Sequence, residues 1–275
     1  MRAAVPVIAL AAPAGSRATA SDLIALVKLR YHITFVNVIF GALIFSPSPR
    51  PALVAQLAAL YVSFNLLMYG GIYTMNDVSD RHSDRCHPQK RHRPIASRRV
   101  GVAAGIAFAA AMIGAGLAAA LALFAPAVVA CHLAALGLNV AYSFGGRNIL
   151  YLDLLLNSAP HVVRFLMGVL LVGRVPDAGH LLGVFLLAMV FSCRRRQVER
   201  SRDGWETRPT LSLYGRRELA MIAATSVAAL IVTAGLAARS APGYWGILLA
   251  SALVLAGGAY ASPAVRGVFA SLWLR

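Results

Sequence analysis

The sequence predicts an all-α, polytopic membrane helix bundle with eight or nine transmembrane helices, on three observations. The chain is 59% hydrophobic and only 13% charged, with a mean hydropathy of +0.69, far from the roughly one-quarter charged composition of soluble domains. Its apolar residues fall into runs near the about 20 residues that a bilayer crossing needs. Its charges collect in short connections between those runs.

Taken in order, the predicted helices cover residues 29–46, 52–75, 100–124, 126–145, 153–173, 179–193, 218–238 and 243–260. Residues 263–275 are apolar enough for half a span, so a ninth helix there is short or re-entrant. Residues 1–22 read as an N-terminal tail and residues 23–275 as a single transmembrane domain with polar loops at 76–99 and 194–217. The apolar stretch after Arg2 superficially resembles a signal peptide, but the charge pattern favours a cytoplasmic start. Gly70, Gly71, Gly137 and Pro160 lie within spans, where they permit close packing or kinks.

Loop charges set the orientation. The 76–99 loop holds seven Lys and Arg residues and the 194–217 loop eight, whereas the alternate loops carry Arg50, Arg174 and Arg239, one apiece. Both polar loops and the turn at Arg147 are therefore expected on the cytoplasmic face of the cell membrane. They follow the second and sixth spans, four helices apart, which hints at two four-helix halves. The net charge of +16 admits nucleic acid, anionic lipid or anionic substrate. No aromatic-plus-basic signature of a nucleic-acid module is present, so nucleic acid is excluded as a partner and membrane lipid retained. Cys86, Cys131 and Cys193 define neither a disulfide framework nor a zinc spacing. No obligate protein partner is inferred.

Positive-inside bias explains the arginines but not the carboxylates. Three of the ten acidic residues, Asp77, Asp80 and Asp84, recur at i, i+3 and i+7 beside Asn76, which on a helix brings them to one face within reach of shared cations. Hard oxygen ligands of this kind suit Mg²⁺, which keeps waters and bridges substrate phosphates. His82, Cys86 and His87 lie at no zinc spacing. Lys90, Arg91 and Arg93 follow as phosphate partners for a diphosphate. His132 and His161 read as packing residues within spans, and Asn157, one turn beyond Asp153, is assigned no role.

The run Asn76-Asp77-x-x-Asp80-x-x-x-Asp84 resembles the first Asp-rich motif of the UbiA superfamily of intramembrane prenyltransferases. Its continuation, His87-Pro88-x-Lys90-Arg91-x-Arg93-Pro94-Ile95-Ala96-Ser97, is similar to that of the decaprenyl-phosphate phosphoribosyltransferase-like branch. That branch moves phosphoribose from phosphoribosyl diphosphate to a polyprenyl phosphate. Tyr142 and Arg147 stand where the branch has Tyr and Lys, and Asp153 and Arg164 match an acidic residue and an Arg eleven positions apart. Arg195, Arg196 and Glu199 resemble its KRxxE motif, and Arg208, Leu211 and Tyr214 its RxxLxxY motif. Arg147 for Lys and Arg98 for Gly are departures, as is the short terminal helix. Glu199 and Asp203 keep the i, i+4 acidic spacing of the second Asp-rich motif of prenyl-transferring members, in an arginine-rich setting.

The resemblance implies a UbiA-type transferase that displaces diphosphate from a donor, with a lipid-soluble acceptor and a Mg²⁺ cofactor. Asp77, Asp80 and Asp84 would hold the metal. Asn76, Lys90, Arg91, Arg93, Tyr142, Arg147, Arg164, Arg195, Glu199 and Arg208 would bind substrate, and Asp153 would orient the acceptor or take its proton. Two donors remain open, phosphoribosyl diphosphate with a polyprenyl phosphate acceptor, or a prenyl diphosphate with an aromatic or other lipid-soluble acceptor. A transporter or lipid-binding protein is the alternative of another class, since intramembrane charges also mark transport paths.

Overall fold

A computed structural model of the chain describes residues 18–46, 51–202, 210–237 and 241–257. Among these residues every long element is helical, and seven helices are long and apolar enough to cross a membrane. The elements are α1 (Ala20–Val27), α2 (Val36–Phe45), α3 (Pro51–Leu60), α4 (Gly70–Cys86), α5 (Val102–Leu123), α6 (Pro126–Ser143), α7 (Leu152–Leu171), α8 (Ala178–Arg202), the single turn α9 (Thr210–Leu213), α10 (Arg216–Ala237) and the shorter apolar α11 (Pro242–Gly257). The expected segment 263–275 lies outside the described residues, as do Asp203 and Arg208.

Local sequence accounts for the boundaries. Pro126 sits in the first turn of α6, where its missing N–H has no intrahelical role. Gly145, at φ 125°, makes the turn between α6 and α7 in a backbone conformation that strains any residue with a Cβ. The first crossing starts earlier than expected, at Ala20, because Thr19 and Asp22 form a reciprocal capping box; the chain then breaks at Lys28 and passes through a 3₁₀ segment (Leu29–Phe35) into α2. The second crossing is continuous over Pro51–Cys86. Its middle, Tyr61–Tyr69, is wound as a π-helix between α3 and α4.

The polar segments begin as helix rather than as loop. α4 runs eleven residues past the expected end of its span, to Cys86, and α8 runs nine past, to Arg202. In α8 the cause is local: Arg194 donates to Gln197, Arg195 to Glu199 and Arg196 to Glu199, all at i, i+3 or i, i+4 spacing. Both helices therefore carry their charged residues on rigid extensions of the bundle.

α7 and α8 are the centre of the packing. α7 contacts α2, α6 and α8, while α8 also contacts α10 and α11. Val38, Phe64, Met68, Cys131 and Met167 fill one core, and Phe165, Val184, Leu230, Tyr244 and Trp245 fill another. Leu121, Val54 and Leu236 are exposed at 70%, 68% and 86%, as expected of faces turned to lipid rather than water. α2 and α7 approach through Gly41 and Gly168, where neither backbone leaves room for a side chain. A Cβ on Gly168 would collide with the Val38 carbonyl and stand 2.9 Å from the Ala42 nitrogen. Gly168→Ala is expected to lower stability by about 1–3 kcal/mol through overpacking, read as an earlier thermal midpoint in detergent; an unchanged midpoint would contradict this helix contact.

Candidate functional site

α4 presents its aspartates at the polar end of the bundle. On a helix at about 100° per residue, Asp84 lies about 20° from Asp77 but Asp80 about 60° away. The structure follows that difference. Arg93 Nη1 donates to Asp77 Oδ1 at 3.0 Å and to Asp84 Oδ2 at 2.8 Å, stapling the aligned pair. Asp80 turns instead to Arg147, whose Nη1 is 2.6 Å from Asp80 Oδ1. The three carboxylates thus share a helix, but they do not share one cation. Burial opposes the charge of Arg93, yet Asp77 and Asp84 outweigh it and hold the guanidinium above its ordinary pKa.

Asp77 also accepts from Lys28 Nζ at 2.6 Å, so one of its oxygens serves two cations. Its other oxygen, Oδ2, is buried without a hydrogen-bond partner. Lys90 and Arg91 stand on the 3₁₀ turn Lys90–His92, whose start is held by the His87 ring accepting from the Gln89 and Lys90 backbone N–H groups. Lys90 lies within electrostatic reach of Asp84, whereas Arg91 is exposed and meets the His92 ring.

A second cluster is built on α7 and α8. Asp153, wholly buried, accepts from Arg196 Nε at 2.8 Å and from the Tyr214 hydroxyl. Arg196, itself 1% exposed, donates to Glu199 Oε2 at 2.6 Å and to the Tyr142 hydroxyl at 3.4 Å. Arg195 Nε donates to the remaining Glu199 oxygen at 2.9 Å. Burial, then the hydrogen bond to Asp153, pushes the Tyr214 phenol above its ordinary pKa and keeps it a donor. The end of α6 joins the two clusters. Ser143 donates to Asn76 Oδ1 at 2.8 Å on one side, and its neighbour Tyr142 meets Arg196 on the other. Thr210 adds a hydrogen bond to the Arg147 carbonyl.

Deeper in the bundle, Arg164 is 4% exposed and lies with its guanidinium carbon 4.2 Å from the Tyr69 ring centroid and 5.7 Å from that of Phe64. Its Nη1 donates to the Pro160 carbonyl, and its Nε is buried without a partner. Arg164 and Arg195 both act electrostatically on Tyr73 and His161, so the two cations border one interior region. Asn65, from the π-helical stretch, leaves its buried Oδ1 unpaired. His161 pairs with Asn37 at 3.0 Å and packs edge-on to the Phe191 ring, in keeping with a packing role.

Sequence reasoning missed Lys28, Ser143, Asn65 and Tyr69. For Lys28 a signal existed: only two of the 26 basic residues are lysines, and both, Lys28 and Lys90, lie at this polar cap. The other three touch the site through contacts between distant segments and carry no local mark.

The donor set fits a hard divalent cation. Among the described residues no three His, Cys, Asp or Glu side chains gather as a ready metal site. Mg²⁺ does not require one, because it takes one or two carboxylates and fills its octahedron with water and phosphate oxygens. The unpartnered Asp77 Oδ2 offers such a ligand.

Known proteins resemble the chain in sequence and in fold. Over 200 residues the chain is 32% identical to a decaprenyl-phosphate phosphoribosyltransferase of Mycolicibacterium smegmatis, covering 68% of this chain and 59% of that protein. It is 39% identical over 102 residues to the nodulation protein NoeC of Azorhizobium caulinodans, covering 36% of this chain and 32% of the other. The matched segments thus span from a third to three-fifths of these relatives. A solved UbiA homologue from Archaeoglobus fulgidus, bound to GPP and Mg²⁺, superposes with a TM-score of 0.73 at 17% identity, over 91% of this chain and 97% of that one. The model of the UbiA prenyltransferase family matches residues 34–267, and with that span, the α4 motif and the shared fold, this multi-pass membrane protein belongs to the UbiA prenyltransferase family.

Proposed function

We propose that the protein is a Mg²⁺-dependent transferase that moves phosphoribose from phosphoribosyl diphosphate to a polyprenyl phosphate, with its polar cap on the cytoplasmic side of the cell membrane. The observation that carries this reading is the state of Glu199. Its two oxygens are taken by Arg195 and Arg196 at 2.9 and 2.6 Å, so the second half of the cap presents guanidinium rather than a second carboxylate metal site. Phosphoribosyl diphosphate carries one phosphate more than a prenyl diphosphate and calls for that extra positive charge. The likeness to the mycobacterial phosphoribosyltransferase supports the same donor.

In this reading Asp77, with Asp80 and Asp84 near it, holds the cation, which when bound neutralises charge on the departing diphosphate. Arg93, Lys90, Arg91 and Arg147 bind the diphosphate oxygens, and Asn76 is set by Ser143 to assist. The bond from C1 of the ribose to the diphosphate breaks with its electron pair leaving on oxygen. A phosphate oxygen of the lipid acceptor then bonds to C1. Arg164 and Arg195 receive the acceptor phosphate from the bundle interior. Asp153 acts by position: it fixes Arg196 and Tyr214, and through Arg196 it fixes Glu199 and Tyr142. Arg208 belongs to the same substrate set by its motif alone.

Prenyl transfer to an aromatic or other lipid-soluble acceptor is the second reading, favoured by the fold shared with the GPP-bound archaeal protein. A Mg²⁺-dependent assay in detergent, offering labelled phosphoribosyl diphosphate with polyprenyl phosphate beside labelled prenyl diphosphate with aromatic acceptors, separates the two. Label entering lipid only from the prenyl donor would overturn the phosphoribosyl reading, and no diphosphate release from any donor would leave transport or lipid binding instead. Asp77→Asn and Asp80→Asn are expected to abolish turnover, and full activity in either would remove that residue from the metal site. Arg164→Gln should raise the KM for the lipid phosphate by about tenfold while leaving that for the donor near wild type, as for loss of one charge-assisted hydrogen bond. Arg196→Met is expected to cost about 3–5 kcal/mol of stability, because it leaves the Asp153 carboxylate buried and short of its cation. Chemical denaturation in mixed micelles would read that loss.

A further inference from the structure

Lys28 ends α1 with φ 54° and ψ 53°, in the left-handed region where a residue with a Cβ is strained and where Gly or Asn is at ease. The backbone alone would select glycine, so what lysine adds at this position is its side chain. That side chain reaches α4 and sets Nζ 2.6 Å from Asp77 Oδ1, and 6.0 Å from the Tyr73 ring centroid. The arm that carries it is anchored independently. Arg99 Nε donates to Asp22 at 2.8 Å, and Leu26 packs with Val78, Ile95 and Val100.

The two cations on Asp77 Oδ1 differ in freedom. Arg93 is also bound to Asp84, whereas among the described residues Lys28 forms an ion pair with Asp77 alone. The second oxygen of Asp77 is buried and unpartnered. A divalent ion on that oxygen would place like charge beside the ammonium, and the ammonium is the group able to move: a compact point charge on a flexible four-carbon stem. Anionic phosphate nearby gives it a destination.

We propose that Lys28 is a donor-site residue whose ammonium holds Asp77 until a divalent cation takes the free carboxylate oxygen, and then moves onto the donor's diphosphate. The proposal rests on the reading of the cap as a diphosphate-donor site. It adds a fifth basic residue to Lys90, Arg91, Arg93 and Arg147, supplied from the end of α1, and it makes metal and diphosphate binding opposed in their response to that residue.

The test uses full-length protein in detergent, titrated with Mn²⁺ alone by electron paramagnetic resonance and then with inorganic diphosphate in the presence of Mn²⁺. In Lys28→Met the expected result is tighter Mn²⁺ binding together with diphosphate binding weakened by about tenfold, the scale of one charge-assisted contact. Lys28→Arg, which keeps the charge, should recover part of the diphosphate affinity. Unchanged affinities in Lys28→Met, or a parallel loss of both, overturn the proposal while leaving the donor site standing; wild-type protein that binds neither probe removes the donor-site reading itself. Because the chain has only two lysines, ε-¹³C-lysine labelling gives a readout on unaltered protein. The Lys28 resonance should shift on adding Mg²⁺ and again on adding diphosphate, and a signal unmoved by both is equally fatal.

Discussion

Carboxylates buried at the end of a membrane helix survive as anions only if each meets a cation, and the structure is organised around that constraint. Asp77 and Asp84 are 1% and 2% exposed, and a single guanidinium, Arg93, closes on both. That contact folds the segment after α4 back over the helix, so that Pro94, Ile95 and Ala96 are buried against the bundle rather than left in solvent. The charge pairing works with the packing of Ile95 against Leu26, Val78 and Val100 to lay so basic a segment on an apolar foundation. The staple thus fixes two things at once, the end of α4 and the position of the phosphate-binding cations.

The same rule governs the other half of the cap with the signs reversed. There the surplus is positive, and Asp153 and Glu199 are the scarce partners that let Arg195 and Arg196 sit inside the protein. Replacing a buried pair with apolar residues of similar volume is often neutral or favourable for stability, so stability alone does not explain such a network. Its geometry does: Arg196 is held by Asp153, Glu199 and the Tyr142 hydroxyl, Arg195 by Glu199, and each guanidinium so points along a set direction. Preorganised cations of this kind act where negative charge develops, and they need no rearrangement when it does.

Hydropathy made the crossings legible, because a lipid solvent demands about 20 apolar residues, but not their ends, since α4 and α8 continue as helix past the apolar runs. The aspartate spacing on α4 was equally readable, and the helical period even separates Asp80 from the other two once it is drawn out. What escaped was of two kinds. The extension of α8 depends on side-chain pairs among Arg194, Arg195, Arg196, Gln197 and Glu199, in a stretch whose charge reads as loop. Lys28 with Asp77, and Arg164 with Tyr69, are contacts between segments far apart in the chain, which no periodicity encodes. The π-helical stretch Tyr61–Tyr69 had no local signature either, since its residues suit an α-helix as well.

That stretch bears on how the site can change over time. Because Tyr61–Tyr69 carries a wider winding into α4, it sets the angle at which Asp77 and Asp84 leave the helix relative to α3. Gain or loss of one residue there would turn the whole aspartate face by about 100° and carry both carboxylates away from Arg93. Substitutions in the stretch leave that angle intact. The segment is thus an indexing element: its length is under tighter constraint than its composition, and any lineage that altered it would have to rebuild the cap on another face of the same helix.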